Sequence, residues 1–209
     1  ASGLCNMIAE ESDAERCLVI GEDLGTVPED FPALLATHNI LSCRLLIFAR
    51  DGDRFLAPEE YPRNALVSVA THDLPPLLGF IEGTDIEARA RLGFYPDDAS
   101  HRQAQDERAL ERQRLRAAVN AAGFAIGDDV AGILAGCHGF LARTPCALFL
   151  VQMEDLAMEH EQANMPGTGD GHPNWRRKLS RDLETIFAAP ATDAILGAIR
   201  KERPRGERP

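Results

Sequence analysis

The sequence predicts an α/β protein built around a parallel sheet, and three observations lead to this fold class. Four short apolar runs are continuous rather than alternating, which is typical of strands buried on both faces. These runs cover residues 17–20, 45–49, 66–70 and 146–151. Stretches of helical composition lie between them, so strand and helix alternate along the chain. Polar side chains follow each run, where parallel folds place the groups that contact ligands.

The helices are predicted from composition and from their terminal signals. Residues 29–38 predict a helix with Pro28 at its first position and Glu29 and Asp30 near its positive end. The other predicted helices cover 4–11, two segments of 86–122 separated by a break at 93–98, 174–188 and 191–201. Residues 164–173 form a glycine-rich loop, and Asp51-Gly52-Asp53 indicates a tight turn. We expect residues 1–200 to form one folded part and 201–209 to form a basic, flexible tail.

Composition excludes several classes of function. The 209 residues carry 22 basic and 33 acidic side chains, a formal net charge of −11, which argues against nucleic-acid or anionic-membrane partners. The apolar runs reach only six residues, far below the roughly 20 that span a bilayer. The five cysteines lack a Cys-x-x-Cys pair and no secretory signal is visible, so we expect reduced, buried thiols and a cytoplasmic location.

The residues that follow the predicted strands suggest hydrogen bonding and proton transfer. They are Glu22 and Asp23; Arg50 and Asp51; Thr71, His72 and Asp73; and Gln152, Glu154 and Asp155. Their spacing does not match a metal site, so we expect no metal, and a site for a polyhydroxylated substrate fits better. Purely structural roles remain open for these residues. Glu22 and Asp23 could cap the next helix, and a His72–Asp73 pair could be a structural hydrogen bond. Gln152 could support the rim or contact substrate.

Three motifs carry a family resemblance. LVIGEDLGTVPEDF (18–31), YPRNALVSVATHDLPPLLGF (61–80) and NMPGTGDGHPNWRRKL (164–179) resemble the 4-α-glucanotransferases of the amylomaltase type. The resemblance implies a (β/α)8 barrel that needs no cofactor. It also implies transfer of α-1,4-glucan segments between malto-oligosaccharides, with retention of anomeric configuration through a glycosyl-enzyme intermediate.

The resemblance also implies roles for individual residues. Glu22 of GEDLG matches the family's acid/base residue after the fifth barrel strand. Asp73 of ATHD, after the seventh strand, matches a carboxylate that grips sugar hydroxyls and stabilises the oxocarbenium-like transition state. His72 is expected to contact the same ring, and Asn164 matches an asparagine lining the substrate site.

Three further residues are interpreted from their position alone. Asp51 and Gln152 are expected to add substrate contacts because each follows a predicted strand. The lone Trp175 is interpreted as a structural core residue, since a single tryptophan near a predicted helix start is more often core than sugar platform.

The chain has no match for the family's nucleophilic aspartate, and four predicted strands are half of a barrel. We therefore expect the carboxyl-terminal part of a larger enzyme, strands five to eight, inactive alone. Its edge strands would need a missing amino-terminal half or another copy of the chain. Three alternatives remain open: a catalytically silent glucan-binding or assembly fragment, a hydrolase of the α-amylase superfamily, and a purely structural α/β module.

Overall fold

A four-stranded parallel sheet forms the centre of the protein. The computed structural model describes residues 2–124, 126–127 and 129–204. The sheet contains β1 (Ile20–Gly21), β2 (Leu41–Leu45), β5 (Ala65–Ser68) and β6 (Leu148–Phe149), in the order β1-β2-β5-β6. Each neighbouring pair is parallel, which confirms the predicted α/β class. A separate antiparallel ribbon pairs β3 (Arg50–Asp51) with β4 (Arg54–Phe55).

α-Helices lie before, between and after the strands along the chain. The α-helices are α1 (Ser2–Ala14), α2 (Phe31–Thr37), α3 (Leu77–Glu82), α4 (Thr84–Arg91), α5 (Asp98–Ala121), α6 (Val130–Ala142), α7 (Met153–Ala157), α8 (Leu183–Phe187) and α9 (Pro190–Glu202). Short 3-10 helices cover Leu46–Phe48 and Pro58–Glu60. The break predicted between the helices of region 86–122 is confirmed, because α4 ends at Arg91 and α5 begins at Asp98.

The main hydrophobic core lies between the sheet and α6, which packs on α9. Helix α6 is apolar around most of its circumference, and such a helix must be buried. Its first turn is capped by Asp129, whose carboxylate accepts a hydrogen bond from the Gly132 amide at 2.7 Å. Fully buried side chains of this core include Leu134, Phe140, Leu141, Ile186 and Ile195.

The second strand begins four residues earlier than the apolar pattern predicts. The strand is Leu41–Leu45, and most of the predicted run 45–49 forms the 3-10 helix Leu46–Phe48 instead, in which Leu46 and Ile47 are buried and Phe48 is exposed. The pattern failed because the strand carries the polar residues Ser42 and Arg44. Ser42 is buried, and the half-buried Arg44 pairs with the carboxylate of Asp23 at the end of β1.

Several predicted helix boundaries were also wrong, and α1 extends beyond the predicted 4–11 at both ends. Helix α2 starts at Phe31 with Pro32 in its first turn, so Pro28 precedes the helix. In the predicted 174–188 segment only Leu183–Phe187 is helical. Helix α9 continues to Glu202, and Arg203 donates hydrogen bonds to three carbonyl oxygens of residues 142–146, so the predicted tail does not begin at 201. Residues 205–209 of that tail lie outside the described residues.

Burial of the cysteines follows the prediction at four of five positions. Cys5, Cys43, Cys137 and Cys146 are buried, whereas Cys17 is exposed. Burial raises the pKa of the Cys137 thiol to about 12. Within the part of the chain that the structure describes, no helix is long and apolar enough to cross a membrane.

Candidate active site

The carboxyl ends of the four parallel strands meet at one edge of the sheet, and Glu22 lies there directly after β1. Its side chain is exposed. Burial, followed by the negative charges of Asp23 and Glu22, raises the pKa of the Cys43 thiol on the neighbouring strand. Two strand spacings, about 10 Å, separate the ends of β1 and β5 in a parallel sheet.

Asp23 turns inward and fixes the end of β1 against β2. Its side chain is fully buried and accepts a hydrogen bond from the Cys43 amide at 2.8 Å. Arg44 donates from one guanidinium nitrogen to both carboxylate oxygens, at 3.0 and 2.9 Å. Burial alone would raise the pKa of Asp23, but the hydrogen bonds from Arg44 and Cys43 lower it below its ordinary value. This anchor holds the backbone next to Glu22, and neither residue caps α2, which begins at Phe31.

The loop between β5 and α3 carries His72 and Asp73, and residues after β6 hold both of its ends. The Gln152 side-chain oxygen accepts a hydrogen bond from the Ala70 amide at 3.1 Å. Buried Asp155 accepts one from the Leu77 amide at 2.7 Å. Its second oxygen lies 3.2 Å from Nε2 of buried His138. Gln152 and Asp155 therefore support the edge of the sheet, which was one of the two roles left open for Gln152.

His72, Asp73 and Asn164 come together although Asn164 is 91 positions from Asp73. Nδ2 of Asn164 donates to Oδ1 of Asp73 at 2.6 Å, and Nε2 of His72 lies 3.3 Å from the same oxygen. The backbone amide of Asn164 also donates to the His72 carbonyl at 3.0 Å. The Asp73 side chain is 41% exposed. Within the described ranges, its contacts use Oδ1, so Oδ2 can accept a hydrogen bond from a ligand.

Gln162 links the backbone of Asp73 to that of Asn164. Its side chain is buried, and Nε2 donates to the carbonyl oxygens of Asp73 at 3.0 Å and Asn164 at 2.7 Å. The sequence analysis did not select Gln162. A glutamine before the glycine-rich loop carries no pattern that reveals a partner 89 positions earlier in the chain.

Trp175 lies beside His72 and is not a core residue, so that interpretation was wrong. The side chain is 66% exposed, and the two ring centroids are 5.0 Å apart with the planes tilted by 47°. Trp175 does not lie near the start of a helix, because the next helix begins at Leu183. The prediction failed because only the last part of the predicted helix 174–188 is helical, so Trp175 lies in a loop.

Asp51 lies outside this group, in the β3–β4 ribbon. Its carboxylate pairs with Arg54 at 2.9 Å, and its side chain is 69% exposed. The expected position failed because the second sheet strand ends at Leu45, so Asp51 does not follow the sheet's edge. The turn predicted at Asp51-Gly52-Asp53 is confirmed, with Gly52 at φ +57° between β3 and β4. The described residues contain no group of His, Cys, Asp and Glu that could hold a metal ion.

Comparisons with known proteins agree on one family. The family model described as 4-alpha-glucanotransferase matches residues 1–184. A 4-alpha-glucanotransferase of Haemophilus influenzae is 32% identical over 212 residues, covering 96% of this chain and 30% of that protein. One from Mycobacterium tuberculosis is 32% identical over 210 residues, covering 94% of this chain and 29% of that protein. The chain thus spans about a third of the length of these relatives.

Solved structures show the same similarity. The amylomaltase of Corynebacterium glutamicum, a TIM-barrel enzyme, matches with a TM-score of 0.86 and 28% identity, covering 95% of this chain and 31% of that one. The amylomaltase of Streptococcus agalactiae in complex with acarbose matches in fold, with a TM-score of 0.57 and 17% identity, covering 90% of this chain and 32% of that one. These matches confirm the predicted barrel class for a partial sheet.

Proposed function

The chain belongs to the 4-alpha-glucanotransferase family, and on that premise we propose that it carries the acid/base residue and a sugar-binding group of an enzyme that transfers α-1,4-glucan segments between malto-oligosaccharides. One observation carries the proposal. Glu22 follows β1, and His72 and Asp73 follow β5 of the same parallel sheet, where Asn164 contacts Asp73, so these residues lie at the same edge.

Glu22 is the proposed proton donor and acceptor. An exposed carboxyl group at the end of β1 can protonate the glycosidic oxygen of a donor sugar as the bond breaks. In the second step the carboxylate takes the proton from the 4-hydroxyl of an acceptor glucan. A retaining reaction uses one residue in both directions, and this makes transfer to a sugar the reverse of cleavage. The Asp23–Arg44 pair positions Glu22 by fixing its neighbouring backbone.

Asp73, His72 and Asn164 are the proposed sugar-binding residues. The Asp73 carboxylate is held at Oδ1 and can accept hydrogen bonds from sugar hydroxyls at Oδ2. Its negative charge would stabilise the positive charge that develops on the ring in the transition state. Since Gln152 holds the loop backbone through its side-chain oxygen, its proposed substrate contact is through its side-chain nitrogen.

We propose that the carboxylate nucleophile comes from outside these 209 residues, with the chain as strands five to eight of the barrel and residues 1–200 as one structural part. The chain covers only 30% of the Haemophilus influenzae relative, and it contains no match to the Arg-x-Asp-His-like segment expected after a fourth strand. Four buried free thiols support a cytoplasmic location.

A chimera tests this function. In it, the chain replaces the matching 31% of the Corynebacterium glutamicum amylomaltase. With maltotriose we expect glucose together with maltopentaose and longer products, and loss of both in the Glu22→Gln chimera. A hydrolase would give only shorter sugars. A folded chimera, shown by a cooperative thermal transition, that neither transfers nor hydrolyses would contradict the proposal and favour a silent binding fragment.

A further inference from the structure

Trp175 exposes more of its side chain than any other large hydrophobic residue in the described ranges. Its exposed fraction is 66%, and it is the only tryptophan of the chain. Exposure of this large apolar ring to water is unfavourable, which indicates that a ligand or another protein surface packs on it. The catalytic scheme above does not use this residue.

The ring is exposed by a built loop. Trp175 has a left-handed backbone, φ +59°, which is an outlier for a bulky residue and persists only where the surroundings enforce it. Its amide donates to the Ala163 carbonyl at 3.0 Å, closing the loop of residues 163–175. The Asn174 side chain accepts from the Met165 amide at 2.8 Å and donates to the Thr168 hydroxyl at 2.8 Å. These bonds fix the backbone from which the ring projects.

The apolar ring of Trp175 lies beside polar groups. Its centroid is 5.0 Å from that of His72, whose Nε2 is 3.3 Å from Asp73 Oδ1. A glucose ring has the same two-sided character. Its hydroxyls lie around the rim and form hydrogen bonds with carboxylate, amide and imidazole groups. Its C–H groups form apolar faces that pack on an aromatic ring.

We propose that Trp175 is an aromatic platform for one glucose unit of the α-1,4-glucan, next to the unit that binds Asp73. This rests on the proposed function and extends it to chain-length preference, since a platform beside the reacting unit favours substrates long enough to reach it. The competing explanation is that another part of the protein packs on Trp175. In that case the fluorescence of Trp175 would not change when sugar is added.

The experiment uses the 209-residue chain, in which emission reports on Trp175 alone. Maltoheptaose is titrated while tryptophan fluorescence is followed, and calorimetry measures the dissociation constant independently. We expect a saturable fluorescence change with the same dissociation constant. Trp175→Ala should weaken binding about tenfold and Trp175→Phe by a smaller factor. Phe187→Ala, which removes a 52% exposed aromatic ring in α8, should leave binding unchanged. The β-1,4-linked cellohexaose serves as the negative sugar.

The outcomes separate this inference from the proposed function. If Asp73→Asn weakens maltoheptaose binding but Trp175→Ala does not, and the fluorescence stays constant, the platform is wrong and the glucan site stands. If the folded wild-type chain binds no maltoheptaose, the platform is overturned, whereas the proposed function is decided by the activity of the chimera. Equal binding of cellohexaose would also overturn the platform as an α-1,4-glucan subsite.

Discussion

Gln162 ties together the backbone of two proposed sugar-binding residues. It donates to the carbonyl oxygens of Asp73 and Asn164, and it is buried. Gln162→Met keeps the side chain's length but leaves both acceptors unpaired, so we expect a loss of about 1–3 kcal/mol in the free energy of unfolding. We also expect weaker maltoheptaose binding, measured by calorimetry.

Gln103→Met provides the matched control, because Gln103 is exposed on α5 and its side chain donates only to Glu107 among the described residues. It should change neither quantity by more than about 0.5 kcal/mol. If Gln162→Met destabilises the chain but binds maltoheptaose as the wild type does, the role assigned to Gln162 in positioning the site is wrong.

Asp23 gives the protein an acid-sensitive anchor. Its folded pKa lies below the ordinary value of 3.8, so the charged form stabilises the fold fully above about pH 4. That stability is lost as the pH falls through the folded pKa. Asp23→Asn should therefore cost about 2–4 kcal/mol at neutral pH, because it leaves the half-buried Arg44 without its carboxylate.

Urea unfolding at pH 7 and at pH values below about 4 checks this behaviour. The difference between wild type and Asp23→Asn should shrink as the pH falls, whereas Asp106→Asn, a change at an exposed carboxylate of α5, should show little difference at either pH. A gap between wild type and Asp23→Asn that stays constant with pH would contradict the anchor.

At the residue scale, the sequence identified the groups that follow strands but not the groups that position them. Glu22, His72, Asp73 and Asn164 stand in recognisable motifs, and the structure brings the last three into contact. Supporting contacts depend on folding: Asp23 and Arg44 are 21 positions apart, and Gln152 and Ala70 are 82 apart. Trp175 was missed because exposure is a property of the folded loop.

Helix α3 follows the loop that carries His72 and Asp73. Gly79 lets this helix pack closely against the backbone at His160. A Cβ at this position would overlap the carbonyl oxygen of His160, and backbone cannot move aside cheaply. We expect Gly79→Ala to lower the free energy of unfolding by about 2–3 kcal/mol. Chemical denaturation measures the change.

Gly197 in α9 is the matched helical glycine, since a Cβ there meets nothing within 4 Å. Gly197→Ala should stabilise the chain by about 0.5–1 kcal/mol, because alanine loses less backbone entropy on folding. Equal effects of the two substitutions would mean that the contact between α3 and His160 is not tight.

At the element scale, continuous apolar runs located β5 and β6, and composition located the helices of region 86–122. The run 17–20 shares only Ile20 with β1 and is largely exposed, so the prediction of a strand buried on both faces was wrong there. The second strand escaped because Ser42 and Arg44 interrupt its pattern, and the adjoining apolar run folds as a 3-10 helix. Arg44 fits in a central strand because the buried carboxylate of Asp23 pairs with it, and this contact cannot be recognised in the local sequence.

The whole molecule presents two sheet edges. Strands β1 and β6 end the order of the sheet, and apolar side chains beside them are exposed: Leu18 at 56%, Ile20 at 41% and Leu150 at 53%. We expect the isolated chain to associate through these edges, as a function of concentration, in sedimentation velocity. Association should increase with salt, because the net charge of −11 makes copies repel each other at low ionic strength.

A monodisperse monomer at every concentration and salt level, with a sharp thermal transition, would contradict that expectation. Charged substitutions at the β1 edge, such as Leu18→Lys, should reduce association without changing the core, because Leu18 is exposed. The corresponding change on an exposed part of α5, Leu110→Lys, is the control and should leave association unchanged.

The role of Glu22 as acid/base residue is the central claim, and a donor whose leaving group needs no proton tests it most directly. In the chimera, Glu22→Gln should fail to cleave maltotriose yet release fluoride from α-maltosyl fluoride, in a burst of about one equivalent per enzyme. Azide, which needs no base, should then restore turnover. A Glu22→Gln chimera that cleaves maltotriose as the wild type does, or that loses both donors equally while remaining folded, would contradict the claim.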